Sequence, residues 1–285
     1  MNNVVLVRFV LEENIVVKNI TNISSPLIIS LPHSGNRYSA DFLRKSLLSL
    51  SELKKSEDAF VDELWEFSLE SGYCYIKSLI PRVYVDLNRH PLELDPLMIS
   101  SKIPNFKQSK SLKALSGIGV IPKVSVYGNS IYADNLSRAE VIKRLLSCYF
   151  PYHKMLKYLI KLLKSKFDDI LILDCHSMPS ETLPKSSAEV DIILGNNFGH
   201  SISEKISNSI KNNFQNLGFT TTENYPYSGG FITQYYGDPI NGIHVLQIEI
   251  NRSIYMNEKK LKRLSNISII SNKLKKIIES SIRDL

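Results

Sequence analysis

Short apolar runs alternate along the chain with stretches of helical spacing. Residues 26–31 (PLIISL) and 169–175 (DILILDC) are continuous apolar runs of strand length. That is the pattern of strands buried on both faces. Strands are also predicted at 4–10, 73–80, 82–87, 190–194, 220–222 and 244–250, with Pro81 parting the second and third of these. Helical spacing runs over 56–69, with Val61, Leu64, Trp65 and Ser68 on one side and Gly72 at its end. Ser137 and Glu140 form a capping-box pattern that opens a helix to about Cys148. Pro151 interrupts or restarts it, and the spacing continues to Lys166. A second box, Ser201 with Glu204, opens a helix that Gly218 ends. A long amphipathic helix is predicted from Asn257. Residues 88–119 show little periodicity and several Pro, Ser and Gly, the mark of a functional loop rather than a linker. Residues 227–230 form a glycine-containing loop.

This alternation argues for an α/β fold with a mixed central sheet flanked by helices. No internal repeat and no break in composition marks a linker, so a single domain over 1–285 is expected. The 285 residues can bury a substantial core, and 43% hydrophobic with 22% charged residues is ordinary globular usage.

The formal net charge is +7. Its lysines are scattered over apparent amphipathic helices, which gives no base-reading geometry, so no nucleic-acid partner is expected. No apolar stretch reaches the roughly 18 residues of a membrane span. Cys74, Cys148 and Cys175 are too few and too widely spaced for a disulfide framework or a zinc knuckle. A reducing cytoplasm fits these features.

Two histidines follow the strongest strands, His33 after LIISLP and His176 after ILILDC. Either alone reads as a structural histidine. Two at equivalent strand ends can share one crevice, because parallel strands gather their carboxyl ends. Imidazole is a common zinc ligand, and a catalytic zinc takes three protein groups. A carboxylate is then expected as the third. Asp58 and Asp62 stand at i and i+4 of the predicted 56–69 helix and are both candidates, Asp58 for its place near the helix start. Asp174, two residues before His176 on one strand face, either orients that imidazole or is a buried carboxylate satisfied by backbone groups. Glu249 sits in an otherwise apolar strand (LQIEIN). There it is either the base that a metal-dependent hydrolase needs or the partner of Arg252. Arg89, beside Asn88, either holds a substrate carboxylate or pairs with Asp86 to hold the loop.

Read together, LPHSG (31–35), VDLNR (85–89), GIGVIP (117–122), PYH (151–153), DCHSMPS (174–180), SGGFIT (228–233) and LQIEINRSIYM (246–256) resemble the N-formylglutamate amidohydrolase family, in family order over about residues 25–260. The resemblance implies a fold related to zinc carboxypeptidases and aminoacylases. It implies a zinc-dependent amidohydrolase acting on linear amides, with one Zn2+ and a small acidic N-acyl amino acid as substrate, N-formylglutamate in the named members. It places His33 and His176 at metal-ligand positions, with the third ligand in the EDAFVDEL segment (57–64). Glu249 takes the acid/base position. It favours Arg89, with Asn88, as the holder of a substrate carboxylate, and makes Arg252 a candidate for carboxylate or oxyanion contact. Arg82 is the other oxyanion candidate, and Gly230 and Asn251 are further substrate-binding candidates. A related zinc peptidase or deacylase acting on another acidic N-acyl compound or a cell-wall peptide would keep the same centre. A binding protein without catalysis would need to have lost it. The chain departs from the family at Gln234, where arginine is common, at Gly237-Asp238, where a basic residue is common, and at His90-Pro91. These changes leave the metal positions intact and remove positive charge expected near an acidic substrate.

Overall fold

A computed structural model describes residues 13–100, 111–183 and 190–285. The predicted strand at 4–10 lies outside them. The described strands are β1 Ile15–Lys18, β2 Leu27–Leu31, β3 Cys74–Ser78, β4 Ile170–Met178, β5 Ile192–Gly195, β6 Thr221–Glu223, β7 Ile243–Asn251, β8 Met256–Asn257 and β9 Lys262–Arg263. The helices are α1 Ala40–Lys45, α2 Leu50–Lys54, α3 Val61–Leu64, α4 Phe67–Glu70, α5 Leu112–Leu115, α6 Arg138–Arg144, α7 Phe150–Lys164, α8 Glu204–Asn216, α9 Phe231–Tyr236 and α10 Ile267–Ser281. A π-helical turn, Leu145–Tyr149, joins α6 to α7. The described residues gather into two compact units. One draws on 13–16, 32–57 and 77–156, the other on 17–31, 58–76 and 157–285.

The second unit carries most of a seven-stranded mixed sheet in the order β1-β3-β2-β4-β7-β5-β6. At its centre β2, β4 and β7 run parallel. β2 and β4 are buried at every position and β7 at all but its first, which is why their sequences read as continuous apolar runs. β5 is antiparallel to β7 and parallel to β6. In α10 the buried residues Ile270, Leu274, Ile277 and Ile278 fall at helical spacing, and this face packs on α8, α3 and α4. Each such side chain contributes about 1.5–3 kcal/mol on burial.

In the first unit a fully buried Arg144 on α6 organises the packing. Its guanidinium lies 4.1 Å over the Tyr84 ring, donates to the Tyr132 hydroxyl at 2.6 Å, and pairs with Glu140. A buried arginine is tolerated here because both terminal nitrogens find acceptors and the guanidinium faces aromatic rings.

Several predicted elements take another form. The single helix over 56–69 is broken into α3 and α4. Phe60 enters α3 with a left-handed φ of 62°, and Trp65 leaves it at φ −103° with its side chain fully buried. The predicted strand at 82–87 is a turn, in which Tyr84 N–H donates to the Pro81 carbonyl at 2.9 Å. Ser137 does cap α6, but Glu140 turns to Arg144 and Lys45 instead of closing a box. At 201–204 the N-cap is Ser203, and the Ser201 hydroxyl donates to the Val245 carbonyl at 2.8 Å. Residues 256–263 form the β8–β9 ribbon, and the last helix begins only at Ile267. His176 lies within β4, two residues before its end.

Candidate functional site

The carboxyl ends of β2, β4 and β7 present polar side chains in register. Ser30 pairs with Asp174, Asp174 with Gln247, and His176 with Glu249. Alternation along each strand puts these five residues on one face of otherwise apolar strands. All five are buried.

His176 is gripped from both ring nitrogens. Nε2 lies 2.9 Å from Asp174 Oδ2, and Nδ1 lies 2.9 Å from Asp58 Oδ2. The Ser30 hydroxyl donates to the other Asp174 oxygen at 3.0 Å and so fixes the carboxylate that fixes the ring. Burial works against a charged imidazole here. The Asp174 charge, hydrogen bonds to Asp174 and Asp58, and the Glu249 charge outweigh it and hold the His176 pKa well above its usual value.

Asp58 is fully buried, just ahead of the left-handed Phe60 that opens α3. The Tyr255 hydroxyl anchors this turn by donating to the Ala59 carbonyl at 2.9 Å. Asp58 Oδ1 accepts from Arg252 Nη2 at 3.3 Å, and Arg252 Nε donates to Ser177 Oγ at 3.1 Å.

His33 follows β2 by two residues and is itself buried. Its Nε2–H donates to Asp86 Oδ1 at 2.8 Å. That oxygen also accepts the Asn88 N–H at 2.9 Å, while Arg82 Nη2 donates to Asp86 Oδ2 at 2.8 Å. Burial pushes the Asp86 carboxyl up, but His33, Arg82 and Arg89 hold it well below the usual carboxylate range.

Among the described residues, one group offers three metal-ligating atoms together: His33, Asp58 and His176, with all three atoms within 4.8 Å of one another. Asp62 is half-buried on α3 and stands outside it.

Glu249 Oε1 accepts from Gln247 Nε2 at 2.9 Å, and Gln247 Oε1 accepts the Gly230 N–H at 2.7 Å. One glutamine thus ties the glycine loop to the glutamate. The loop can approach only because residue 195 is glycine: a Cβ there would lie 2.7 Å from the Gly229 nitrogen. Arg89 is partly exposed, and its Nε has no hydrogen-bond partner among the described residues. The Asn251 amide is engaged with the Val190 carbonyl and with Ser253. Gln234 is exposed and reaches the Gly229 carbonyl.

The family model described as N-formylglutamate amidohydrolase matches residues 25–256. The chain belongs to this family. It is 28% identical over 237 residues to N-formylglutamate deformylase of Pseudomonas putida, covering 82% of each chain. To the protein of that name from Pseudomonas aeruginosa it is 26% identical over 238 residues, covering 82% of this chain and 83% of the other. The crystal structure of N-formylglutamate amidohydrolase from Ralstonia eutropha JMP134 superposes with a TM-score of 0.87 at 27% identity, covering 95% of this chain and 96% of that one. A gene product of Agrobacterium tumefaciens, at 17% identity and a TM-score of 0.62 over 94% and 95% of the two chains, shares the fold.

Sequence reasoning missed part of what surrounds the centre in this family member. Asp86 reads as an arginine partner, yet it also holds His33. Gln247 went unmarked, although a glutamine two residues before Glu249 in an apolar strand is itself a signal. Ser30 and Ser177 carry no signal beyond their place at strand ends.

Proposed function

We propose that this chain hydrolyses the amide bond of an N-acyl amino acid, N-formylglutamate first among them, with one zinc ion held by His33, Asp58 and His176. The observation that carries this reading is the meeting of three buried ligand atoms within 4.8 Å. The donor set fits the ion: two imidazoles and a carboxylate are a catalytic zinc set that leaves a position open. The carboxylates of Asp58 and Asp174 on His176 supply negative charge that a divalent cation balances. When bound, zinc lowers the pKa of water and polarises the amide carbonyl.

The chain's own residues supply the rest. Asp174 and Asp86 hold the two imidazole rings in one orientation. Glu249, kept in place by Gln247, takes the proton of the attacking water. As the C–N bond breaks, it returns that proton to the leaving nitrogen. One of two arginines, Arg252 or Arg82, serves the developing oxyanion charge. Arg89, with Asn88, holds a substrate carboxylate, and Gly230, whose N–H is held by Gln247, makes a further substrate contact. The products are formate and glutamate. The three buried free cysteines suit a reducing cytoplasm.

The test is metal analysis of the purified protein together with amine release from N-formylglutamate. About one zinc per chain is expected, with activity lost to a chelator and restored by zinc. Full activity in metal-free protein sinks the reading. The uncharged, exposed Gln234 favours a second reading, in which another acidic N-acyl compound or a cell-wall peptide is the preferred substrate. A panel of N-acyl amino acids and peptides, ranked by kcat/KM, decides between them.

A further inference from the structure

The turn at 86–89 is held from outside by two side chains of the α6–α7 helical rod. The Tyr149 hydroxyl donates to the Arg89 carbonyl at 2.8 Å, and His153 Nε2 lies 2.9 Å from the Leu87 carbonyl. A carbonyl only accepts, so that histidine nitrogen carries its proton. The two rings lie 4.3 Å apart and tilted by 37°. Both side chains are buried, as are Tyr152 and Leu156 on the same face.

Spacing alone makes Tyr149, Tyr152, His153 and Leu156 a packing stripe. Their polar tips distinguish two of them. A buried hydroxyl or imidazole costs free energy unless it is hydrogen-bonded, and both of these bond to main-chain carbonyls of one turn. Tyr149 closes the π turn Leu145–Tyr149, and Asn14 Nδ2 donates to the Ser147 carbonyl within that turn. π turns are rare and concentrate at functional sites, because the added residue re-aims the side chains that follow. Here the re-aimed pair reaches the carbonyls on either side of Asn88. From inside, Asp86 Oδ1 holds the Asn88 N–H and the Val120 carbonyl holds the Asp86 N–H at 2.8 Å. The backbone from which Asn88 and Arg89 project is therefore fixed at four points.

We propose that Tyr149 and His153 are positioning residues for substrate recognition: by fixing the Leu87 and Arg89 carbonyls they orient the Arg89 side chain toward a carboxylate of the substrate. This inference rests on the reading of Arg89 as the carboxylate-binding residue. An ion pair made by a planar guanidinium depends on orientation, so loosening its backbone weakens binding before it touches the chemistry.

The zinc-loaded full chain is assayed on N-formylglutamate as Y149F, H153L, H153Q, R89Q and the double variant Y149F/R89Q. Losing one such hydrogen bond raises KM about 3- to 10-fold. That rise is expected for Y149F and H153L, with kcat within about twofold of wild type and zinc content unchanged. H153Q keeps a donor and restores KM. The double variant shows no rise beyond R89Q. A melting temperature lowered in Y149F with KM unchanged, or effects of Y149F and R89Q that multiply, overturns the proposal while leaving the role of Arg89 intact. A wild-type KM in R89Q overturns the reading of Arg89, and this inference with it.

Discussion

Asp58 and His176, 118 residues apart in sequence, meet through a 2.9 Å contact between Oδ2 and Nδ1, both residues buried. The carboxylate's other oxygen is taken by Arg252. Asp58 thus joins the group of possible ligands to the arginine proposed for the oxyanion. Replacing it by asparagine removes a formal charge from a buried site and takes away the ion-pair partner of Arg252. D58N is expected to retain less than about a tenth of the wild-type zinc after dialysis, with activity falling in proportion. D62N is expected to keep both. Equal zinc loss in the two variants would return the third ligand to an open choice.

Glu249 offers a cleaner separation of binding from chemistry. E249Q preserves shape and a contact with Gln247 but cannot accept a proton. A drop in kcat of about 10²- to 10⁴-fold is expected, with zinc content and KM close to wild type. Unchanged kcat would rule Glu249 out as the base.

The Ser30–Asp174–His176 chain predicts an effect from a residue that touches no substrate. Removing an outer partner of a ligating histidine costs about 10- to 100-fold in metal affinity. D174N is expected to fall in that range and S30A well short of it, because the serine acts on the ring only through Asp174. Competition with a chromophoric chelator measures both. Equal affinity in D174N and wild type would make Asp174 a structural carboxylate.

Stability should depend on pH through Glu140. Burial raises its pKa, but Lys45 and Arg144 outweigh this and leave it below the ordinary value of 4.5. A folded-state pKa depressed below the unfolded one adds stability that is present above pH 4.5 and is lost as the pH falls through the folded value. E140Q is therefore expected to melt below wild type at neutral pH, with the gap closing as the pH is lowered past 4.5. Thermal melts across that range test it, and a gap that stays constant argues for lost packing instead.

Much of the site was legible because its parts sit at the ends of strands that announce themselves. PLIISL and DILILDC are buried on both faces, and the polar residues that interrupt or follow them stand out. The ordered motifs then linked His33 and His176 before any geometry was known. What stayed hidden depends on backbone conformation or on distant partners. No helical spacing reveals that Phe60 takes a left-handed φ, so the 56–69 segment reads as one helix with Asp58 on it. The partnership of Asp86 with His33 spans 53 residues and an irregular turn. The hydrogen bonds of Tyr149 and His153 go to main-chain carbonyls, which have no side-chain signature at all.

The Oδ1 atom of Asp86 serves two neighbours at once, the ring of His33 and the backbone of Asn88. A protein engineer who redraws the turn to welcome a new amino acid would also disturb the imidazole, and the variant would lose turnover before it gained selectivity. Gln234, which reaches the Gly229 carbonyl, and Asp238, which accepts from the Asn241 side chain, offer positions for retargeting outside the Asp86 hydrogen bonds described here. A library confined to those two positions leaves the imidazole's support untouched while it changes the charge at the end of α9.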